Sequence, residues 1–309
     1  MSSLKIVRGP QRSAARVVIY GTEGIGKSTL AVAFPRPLVL DTEEGTKHLD
    51  CARVSCDDWR TLTLAVAELA VDAQGFQTVV IDSADWAEKL LIESMLKGSG
   101  KKSIEDYGFG KGYTMLQEHV SRFLSSCDKL VAAGLNVVFV AHSKVVRTSP
   151  PDMSDGFDRY ELKLTKQVSP LIKEWCDLLL FCNYKIKLVE GTDGRTKATG
   201  GRERVMFSQR TAAWDAKNRY HLPDEMPMAI EQLAPVLAGL RPAQDRPSDK
   251  VATIAGHIAK ATAAAELRKF RDRVTALADQ GDISPSDSEY LGGLLDTRSA
   301  DLETEVQHA

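Results

Sequence analysis

The sequence predicts an α/β protein with a mostly parallel central sheet that is flanked by helices. Apolar runs rich in β-branched residues recur between positions 16 and 142, and stretches with helical spacing separate them. Strands that alternate with helices are typical of parallel sheets, because parallel neighbours need a crossover connection. A glycine-rich turn directly after the first apolar run favours the same fold class. The 309 residues suffice for one such domain and a smaller appendage.

Four apolar runs are the predicted strands of this sheet: RVVIY (16–20), PLVLD (37–41), TVVID (78–82) and NVVFVAH (136–142). The helix predicted from Lys27 is short, because Pro35 and Pro37 stop it. Three further elements are a helix over 57–73 capped by Asp58, a helix over 115–134, and a hairpin over 185–207 with Asp193-Gly194 at or near its tip.

Composition divides the chain into an N-terminal arm (1–15), an α/β core (16–235), a polar linker with prolines (236–250) and a C-terminal helical domain (251–309). The last segment is rich in alanine, and its apolar residues recur at helical spacing. Ser284-Pro285 is predicted to start its third helix, with Asp287 completing the cap. We expect these helices to dock a protein partner or a neighbouring subunit.

Charge and cysteine content limit the partners and the compartment that we expect. The net charge is −2, so any nucleic-acid binding must come from local basic loops. The N-terminus lacks the apolar core of a signal peptide, and no apolar run approaches the ~18 residues of a membrane span. The five cysteines form no CxxC pair, which predicts buried, reduced thiols. We therefore expect a cytoplasmic protein without a membrane partner.

Residues 21–28, GTEGIGKS, match the pattern GxxxxGK[ST] between a predicted strand and a predicted helix. In such a loop the backbone N–H groups turn inward on phosphates, and the helix N-terminus favours negative charge. Lys27 would neutralise the β and γ phosphates of ATP, and the Ser28 hydroxyl would bind Mg²⁺. The predicted nucleotide-binding residues are Gly21, Thr22, Glu23, Gly24, Ile25, Gly26, Lys27, Ser28 and Thr29.

Carboxylates follow two of the predicted strands. Asp82 ends the strand TVVID, at the sheet edge where ligands of α/β proteins bind, and is the second predicted Mg²⁺ ligand. Asp41 and Glu43 follow PLVLD and would lie along the same edge. Glu43 is the better candidate for orienting and deprotonating the attacking water. Asp41 is predicted to tie down a loop or the water shell of the metal.

These motifs resemble those of RecA-type recombinases. LDTEEG (40–45) is similar to the segment with the catalytic glutamate, and FVAHSK (139–144) to the strand that ends in a γ-phosphate sensor, here His142. In WDAKNRYHLP (214–223), Lys217 and Arg219 match basic residues that reach the nucleotide of a neighbouring subunit. The resemblance is closer to small phage-encoded RecA-like ATPases, some of which anneal single strands. It covers about residues 14 to 230.

The resemblance implies a homo-oligomer, either a filament or a ring, with composite ATP sites. This chain departs from the family pattern at His142, where a glutamine is common, and the charge of a histidine depends on pH. The host would be bacterial if the chain is phage-encoded.

Two segments are predicted to face single-stranded DNA. KGSGKKSIEDYGFGKGY (97–113) combines lysines, which track phosphates, with rings that can stack on bases. The resemblance assigns SKVVRTSPPDMSDGFDRYELK (143–163) as a second mobile loop, although its acidic residues offset its basic ones. The predicted DNA-binding residues are Lys101, Lys102, Tyr107, Phe109, Lys111, Lys144 and Arg147.

Three functions fit these motifs. The first is an ATP-dependent recombination protein that binds single-stranded DNA. The second is a RecA-like ATPase that acts on a protein, such as a helicase loader or a nucleotide-switched scaffold. A small-molecule kinase would need an arginine-rich lid, for which the hairpin loop 191–204 is the one candidate. A GTPase is disfavoured, because no NKxD segment is present to read guanine.

Overall fold

Ten strands form the sheet of the larger part of the protein, and six of them are parallel neighbours. The strands are β1 (Arg16–Gly21), β2 (Pro37–Asp41), β3 (Ala52–Ser55), β4 (Thr78–Asp82), β5 (Asn136–Thr148), β6 (Phe157–Leu162), β7 (Leu178–Glu190), β8 (Thr196–Phe207), β9 (Lys217–Asn218) and β10 (Glu225–Pro227). Their order is β10-β8-β7-β1-β5-β4-β2-β3, with β6 on β5 and β9 on β7. The predicted α/β fold with a mostly parallel sheet is confirmed.

This computed structural model describes residues 13–149, 155–190, 196–238, 249–280, 282–283, 288, 291–296 and 298–299. Contacts divide the chain into two units, Met1–Arg241 and Pro242–Ala309. Several predicted features fall outside the described residues: most of the N-terminal arm and of the linker, the hairpin tip at Asp193-Gly194, and the cap at Ser284-Pro285 and Asp287.

Helices cover both faces of the sheet. They are α1 (Lys27–Val32), α2 (Trp59–Val71), α3 (Ala84–Ser99), α4 (Lys111–Ala132), α5 (Val168–Trp175) and α6 (Ala234–Leu237). One hydrophobic core contains residues of the four helices α2, α3, α4 and α5 and the strand side chains on that face of the sheet. A second core contains residues of α1 and α6 and the strand side chains on the opposite face. This alternation follows from the two-residue period of a strand, which leaves both faces of a central strand apolar.

The predicted starts and ends of two helices are confirmed. The side chain of Asp58 accepts a hydrogen bond from the Thr61 backbone N–H at 2.7 Å, which caps α2. Helix α1 is six residues long and ends before Pro35, as expected. The predicted hairpin over 185–207 is also present, because β7 and β8 pair in antiparallel register.

Residues 97–113 are more ordered than the loop that the sequence predicts. Helix α3 continues to Ser99, a 3₁₀ turn covers Ile104–Tyr107, and α4 begins at Lys111. Ser103 and Asp106 form a capping box that satisfies the free backbone groups of this turn. Local side-chain caps therefore shorten the irregular part of the segment.

The expectation of a mobile loop over 143–163 is wrong for its described residues. Strand β5 does not stop at His142 but continues to Thr148, and Ser143 to Thr148 pair in antiparallel register with β6. Val145 and Tyr160 stand opposite each other in this two-stranded ribbon. Alternating β-branched residues in SKVVRT are the local signal for the extension.

The smaller unit contains helices α7 (Asp249–Lys260) and α8 (Ala264–Asp279). Its own core includes Ile254, Leu267, Val274 and Leu291, at the helical spacing that the sequence predicts. All five cysteines of the chain are free, and four of them are buried. Among the helices that the structure describes, none has the length and apolar character needed to cross a membrane.

Candidate nucleotide-binding site

The glycine-rich loop lies at the carboxyl edge of the parallel strands, between β1 and α1. Gly24 and Gly26 have φ values of 69° and 101°, a left-handed backbone that favours glycine. A Cβ atom on Gly21 would lie 2.0 Å from the carbonyl oxygen of Cys182, so a side chain cannot fit there. Each of these three positions therefore favours glycine for its own steric reason, and together the glycines leave the loop backbone open for phosphates.

Lys27 is only 5% exposed and lies within the loop. Its Nζ donates hydrogen bonds to the carbonyl oxygens of Gly21 at 3.2 Å and Thr22 at 2.9 Å. Burial lowers the pKa of Lys27, and the charges of Asp82 and Glu43 act in the opposite direction. The amine is therefore held at the loop by backbone oxygens, close to the carboxylates of the neighbouring strands.

Asp82 ends β4, is 2% exposed, and has an Oδ1 atom without a hydrogen-bond partner among the described residues. Burial raises the pKa of Asp82 to about 6, while the nearby side chain of Ser28 opposes this shift. A buried carboxylate oxygen without a partner, beside a hydroxyl group, fits the ligand set of Mg²⁺. Ser28 and Asp82 are thus brought together as the sequence predicts.

A bound metal would have to share its ligands with phosphates. In the part of the chain that the structure describes, no three His, Cys, Asp or Glu side chains are grouped to hold a metal ion. Mg²⁺ in nucleotide sites is usually held by one or two protein side chains together with phosphate oxygens and water. Ser28 and Asp82 match this pattern.

Asp41 orders the turn that carries Glu43. Its carboxylate accepts hydrogen bonds from the backbone N–H groups of Glu43, Gly45 and Thr46 at 3.1–3.3 Å, and another from the Thr46 hydroxyl. All these bonds lie within the turn, which confirms the loop-fixing interpretation of Asp41. The carboxylate is 3% exposed.

Glu43 lies half-buried at the same edge. Its Oε2 accepts a hydrogen bond from the Ser83 hydroxyl at 3.1 Å, next to Asp82. The negative charge of Glu43 contributes to the raised pKa of Asp82 and opposes the lowered pKa of Lys27. Glu43 is therefore close to the phosphate loop while keeping one carboxylate oxygen that is not bound by Ser83.

His142 lies on β5, the strand inserted between β1 and β4. It stands opposite Gly21 in the register with β1. Its Nδ1 lies 2.9 Å from Oδ2 of Asp85, and its backbone N–H donates to Oδ1 of the same carboxylate at 3.0 Å. The hydrogen bond with Asp85 raises the pKa of His142, although partial burial opposes the shift.

Sequence reasoning missed Asp85 as a site residue. It lies in the first turn of α3, directly after the Asp82 strand, and is largely buried. The available signal was the second acidic residue in TVVIDSAD, at the start of the following helix. That residue could be an ordinary favourable charge at a helix N-terminus, so only its contact with His142 identifies it.

Lys217 and Arg219 are not brought to the nucleotide edge of their own chain. Lys217 pairs with Leu179, which is near the start of β7 and lies beside Val18 of β1. Its Nζ donates to the carbonyl oxygens of Lys173 and Glu174 at the end of α5, and Arg219 binds Asp177 at 2.7 Å. Both residues therefore lie toward the amino edge of the parallel strands. An action on the nucleotide of a neighbouring subunit stays a prediction.

The predicted DNA-binding residues of the first segment differ in exposure. The hydroxyl of Tyr107 donates a hydrogen bond to the carbonyl oxygen of Met95 at 3.0 Å and lies 2.8 Å from the Ser99 hydroxyl oxygen, which fixes the half-buried ring against α3. Lys101 lies over that ring at 5.1 Å and donates to the carbonyl oxygen of Asp106. Phe109 is fully exposed, and Lys102 and Lys111 are exposed as well. Tyr107 is therefore partly buried and held by α3, whereas Phe109 is accessible, and DNA binding by either ring stays a prediction.

The basic residues of the ribbon are engaged within the chain. Lys144 donates to the carbonyl oxygen of Leu164 at 2.5 Å. Arg147 lies 3.5 Å from Asp158 across the ribbon, and both side chains are exposed. An exposed ion pair of this kind is weak, so Arg147 stays available to an anion, but Lys144 is the less accessible of the two.

A comparison with protein families matches the part of the chain that contains the candidate site. A family model described as an AAA domain (AAA_24) matches residues 13–220. The SPbeta prophage-derived uncharacterized protein YorG of Bacillus subtilis (strain 168) is 23% identical over 132 residues, which are 41% of this chain and 40% of that relative. The chain thus spans about two fifths of the length of YorG.

Among solved structures, the flagellar accessory protein FlaH from Methanocaldococcus jannaschii matches with a TM-score of 0.30 and 10% identity. The match covers 68% of this chain and 92% of FlaH. The family match at residues 13–220 includes the phosphate loop, Glu43, Asp82 and His142, and it ends before the smaller unit.

Proposed function

The chain belongs to the AAA domain family, whose members are P-loop ATPases, and from this premise we propose an ATP-dependent recombination protein that binds single-stranded DNA. In this proposal the protein is RecA-like, assembles on DNA as a homo-oligomer with MgATP, and promotes annealing or strand exchange. The DNA part of the proposal rests on Phe109. Its ring is exposed, it lies between two glycines in the connection from α3 to α4, and lysines lie nearby in the sequence.

The nucleotide chemistry is assigned to side chains at one sheet edge. The loop backbone and Lys27 hold the phosphates, while Ser28 and Asp82 would hold Mg²⁺, which neutralises phosphate charge when bound. Glu43 orients the attacking water and accepts its proton. Its position supports this role, because Asp41 fixes its turn and Ser83 binds one of its two oxygens.

His142 is proposed to report the presence of the γ-phosphate. Its strand lies between the strands of the loop and of Asp82, and Asp85 fixes its ring through Nδ1. With Nδ1 bound to Asp85, Nε2 is the ring nitrogen that remains for a ligand. Beyond His142, β5 continues into the ribbon with β6, so a shift of this residue would be transmitted to the ribbon.

Phe109 supports contact with unpaired bases. It has a φ of 46° and is flanked by Gly108 and Gly110, both at 73°, so the backbone presents the ring outward. Lys102 and Lys111 are exposed on either side of it in the sequence. Base stacking on an aromatic ring beside cations is the usual mode of binding to single strands without sequence preference.

The first test is fluorescence anisotropy of a labelled single-stranded oligonucleotide, with Mg²⁺ and a slowly hydrolysed ATP analogue. We expect binding that needs the analogue and is lost in Lys27→Ala. Phe109→Ala should weaken DNA binding roughly 10- to 100-fold, the range for one stacked base. The analogue itself should bind Phe109→Ala as tightly as it binds the wild type.

Val71→Ala is the matched control, because Val71 is an apolar side chain that is 91% exposed at the end of α2. It should bind the oligonucleotide like the wild type. Tyr107 is unsuitable for this test, since its hydroxyl is bonded to α3 and its loss would disturb the fold. No binding of DNA in any condition, with the analogue bound, would contradict the recombination proposal.

The alternative is an ATPase of the same kind that acts on a protein, such as a helicase loader or a nucleotide-switched scaffold. Its support is the ribbon, where Lys144 is bound to Leu164 and the charge of Arg147 is offset by Asp158, so the ribbon is a weak candidate for binding DNA. An exposed Phe109 would then be an anchor for a protein. Nucleotide binding without DNA binding would favour this function.

A further inference from the structure

Arg204 lies on the same face of the sheet as the phosphate loop. In the register of the sheet, Gly21 stands beside Cys182, and Cys182 stands beside Met206 of β8. Met206 is fully buried and belongs to the core that also contains Ile25 and Leu30. Arg204 is two residues beyond Met206 toward the carboxyl edge, so the strand period places it on this face.

The guanidinium group of Arg204 touches the loop itself. Its Nη1 lies 3.4 Å from the carbonyl oxygen of Ile25. A Cβ atom built on Gly26 would lie 2.8 Å from Nη1, so the guanidinium occupies the space that a side chain at Gly26 would need. The hairpin of β7 and β8 therefore brings a cation to the residue before Lys27, within one chain.

The charge of Arg204 is not used by a carboxylate in the described structure. Arg147, Arg159 and Arg219 each have an acidic partner, whereas among the described residues the hydrogen bond found for the Arg204 side chain is the weak one to Ile25 O. The side chain is exposed, and so is Arg202. A solvent-accessible guanidinium beside a phosphate-binding loop can form charge-assisted, bidentate bonds with phosphate oxygens.

We propose that Arg204 is a ligand of the nucleotide phosphates, supplied in cis by the hairpin of β7 and β8. Lys27 occupies the inner side of the loop, where it binds the carbonyl oxygens of Gly21 and Thr22, and Arg204 approaches from Ile25 and Gly26. Two cations then contact the polyphosphate from different sides of one loop. The inference rests on the nucleotide part of the proposed function and is independent of its DNA part.

The test is a titration of the full-length protein with fluorescent ATP and ADP analogues in the presence of Mg²⁺, at concentrations where the protein is monomeric. Arg204→Ala should bind ATP roughly 10- to 100-fold more weakly than the wild type, as expected for the loss of a charged hydrogen bond. Arg204→Lys should keep most of the affinity. Arg202→Ala is the matched control on the same strand and should bind like the wild type.

Arg204→Gln separates a phosphate ligand from a residue that merely supports the loop. Glutamine can still donate to the carbonyl oxygen of Ile25 but carries no charge. We expect Arg204→Gln to lose as much affinity as Arg204→Ala, with an unchanged unfolding temperature of the nucleotide-free protein. Wild-type affinity in Arg204→Gln or in Arg204→Ala would overturn the inference.

The outcome for the wild type distinguishes the two proposals. A wild-type protein that binds neither analogue would refute the nucleotide site, and with it the proposed function. If the wild type binds ATP and Lys27→Ala loses affinity, but Arg204→Ala binds like the wild type, only the role of Arg204 is refuted.

Discussion

At the scale of single residues, Asp82 shows a conflict between stability and function. Its carboxylate is buried, and its Oδ1 has no partner in the described structure. Burial raises its pKa from 3.8 to about 6, so the folded protein favours the protonated form. Below pH 3.8 the carboxyl group is protonated in both states and does not change stability, between pH 3.8 and about 6 it progressively destabilises the metal-free protein, and above that pH the full destabilisation remains. Mg²⁺ would compensate the charge.

Asp82→Asn should therefore stabilise the metal-free protein at pH 8 by up to about 3 kcal/mol and should abolish MgATP hydrolysis. The gain should vanish at pH 3, below the unfolded-state pKa of 3.8, where the carboxyl group is mostly protonated in both states. Urea unfolding in EDTA at the two pH values measures it, with Asp50→Asn as the exposed control. The same pH dependence in Asp82→Asn and in the wild type would contradict this explanation.

At the scale of elements, helix α3 contacts both His142 at the candidate nucleotide-binding site and the segment of chain that follows the ribbon. Asp85, in its first turn, holds His142, and Glu88, one turn later, accepts hydrogen bonds from the backbone N–H and hydroxyl of Thr165. Burial raises the pKa of Glu88, while the bonds from Thr165 oppose the shift. One rigid helix therefore contacts both ends of the ribbon segment, at His142 before it and at Thr165 after it.

Glu88→Ala should lower the free energy of unfolding by about 1–3 kcal/mol, because the Thr165 donors lose a buried acceptor. Chemical denaturation measures this loss. Glu93→Ala, at an exposed position of the same helix, should have an effect within about 0.5 kcal/mol of zero. Equal stabilities of the two variants would show that the contact between α3 and Thr165 contributes nothing.

At the scale of the whole molecule, the basic residues that were candidates for contact with a nucleotide lie at two different edges of the sheet. Lys217 and Arg219 lie toward the amino edge of the parallel strands, away from the loop of their own chain, so the proposed action on a nucleotide would require the nucleotide of another subunit. Arg204, by contrast, reaches the loop within the chain. An oligomer with composite sites would use both, one cation in cis and others in trans.

Mixing two inactive variants tests the composite sites. Lys27→Ala keeps Arg219 but has a defective loop, whereas Arg219→Ala keeps the loop. Each alone should hydrolyse ATP slowly, and an equimolar mixture on DNA should recover about a quarter of the wild-type rate, the chance that an intact site meets an intact donor. A mixture no more active than the average of its components would contradict the role of Arg219 in trans.

Local patterns were sufficient to predict strands β1, β2, β4 and the first part of β5, the hairpin of β7 and β8, the phosphate-binding loop, the closeness of Ser28 and Asp82, and the fold class. The reason is that strand periodicity, helix caps and the GxxxxGK[ST] spacing act over a few residues of chain. The turn of Asp41 was predictable on the same ground, since its partners lie within five residues. The extension of β5 was locally encoded too, although the ribbon appears only when β6 is paired with it.

Contacts between distant segments depended on the tertiary structure. The bond of His142 to Asp85 joins residues 57 positions apart, and the contact of Arg204 with Ile25 joins residues 179 positions apart. Such contacts follow from strand order and register, which a single segment does not contain. The placement of Lys217 and Arg219 away from their own loop was decided in the same way, because the pairing of β9 with the start of β7 determines the edge at which they lie.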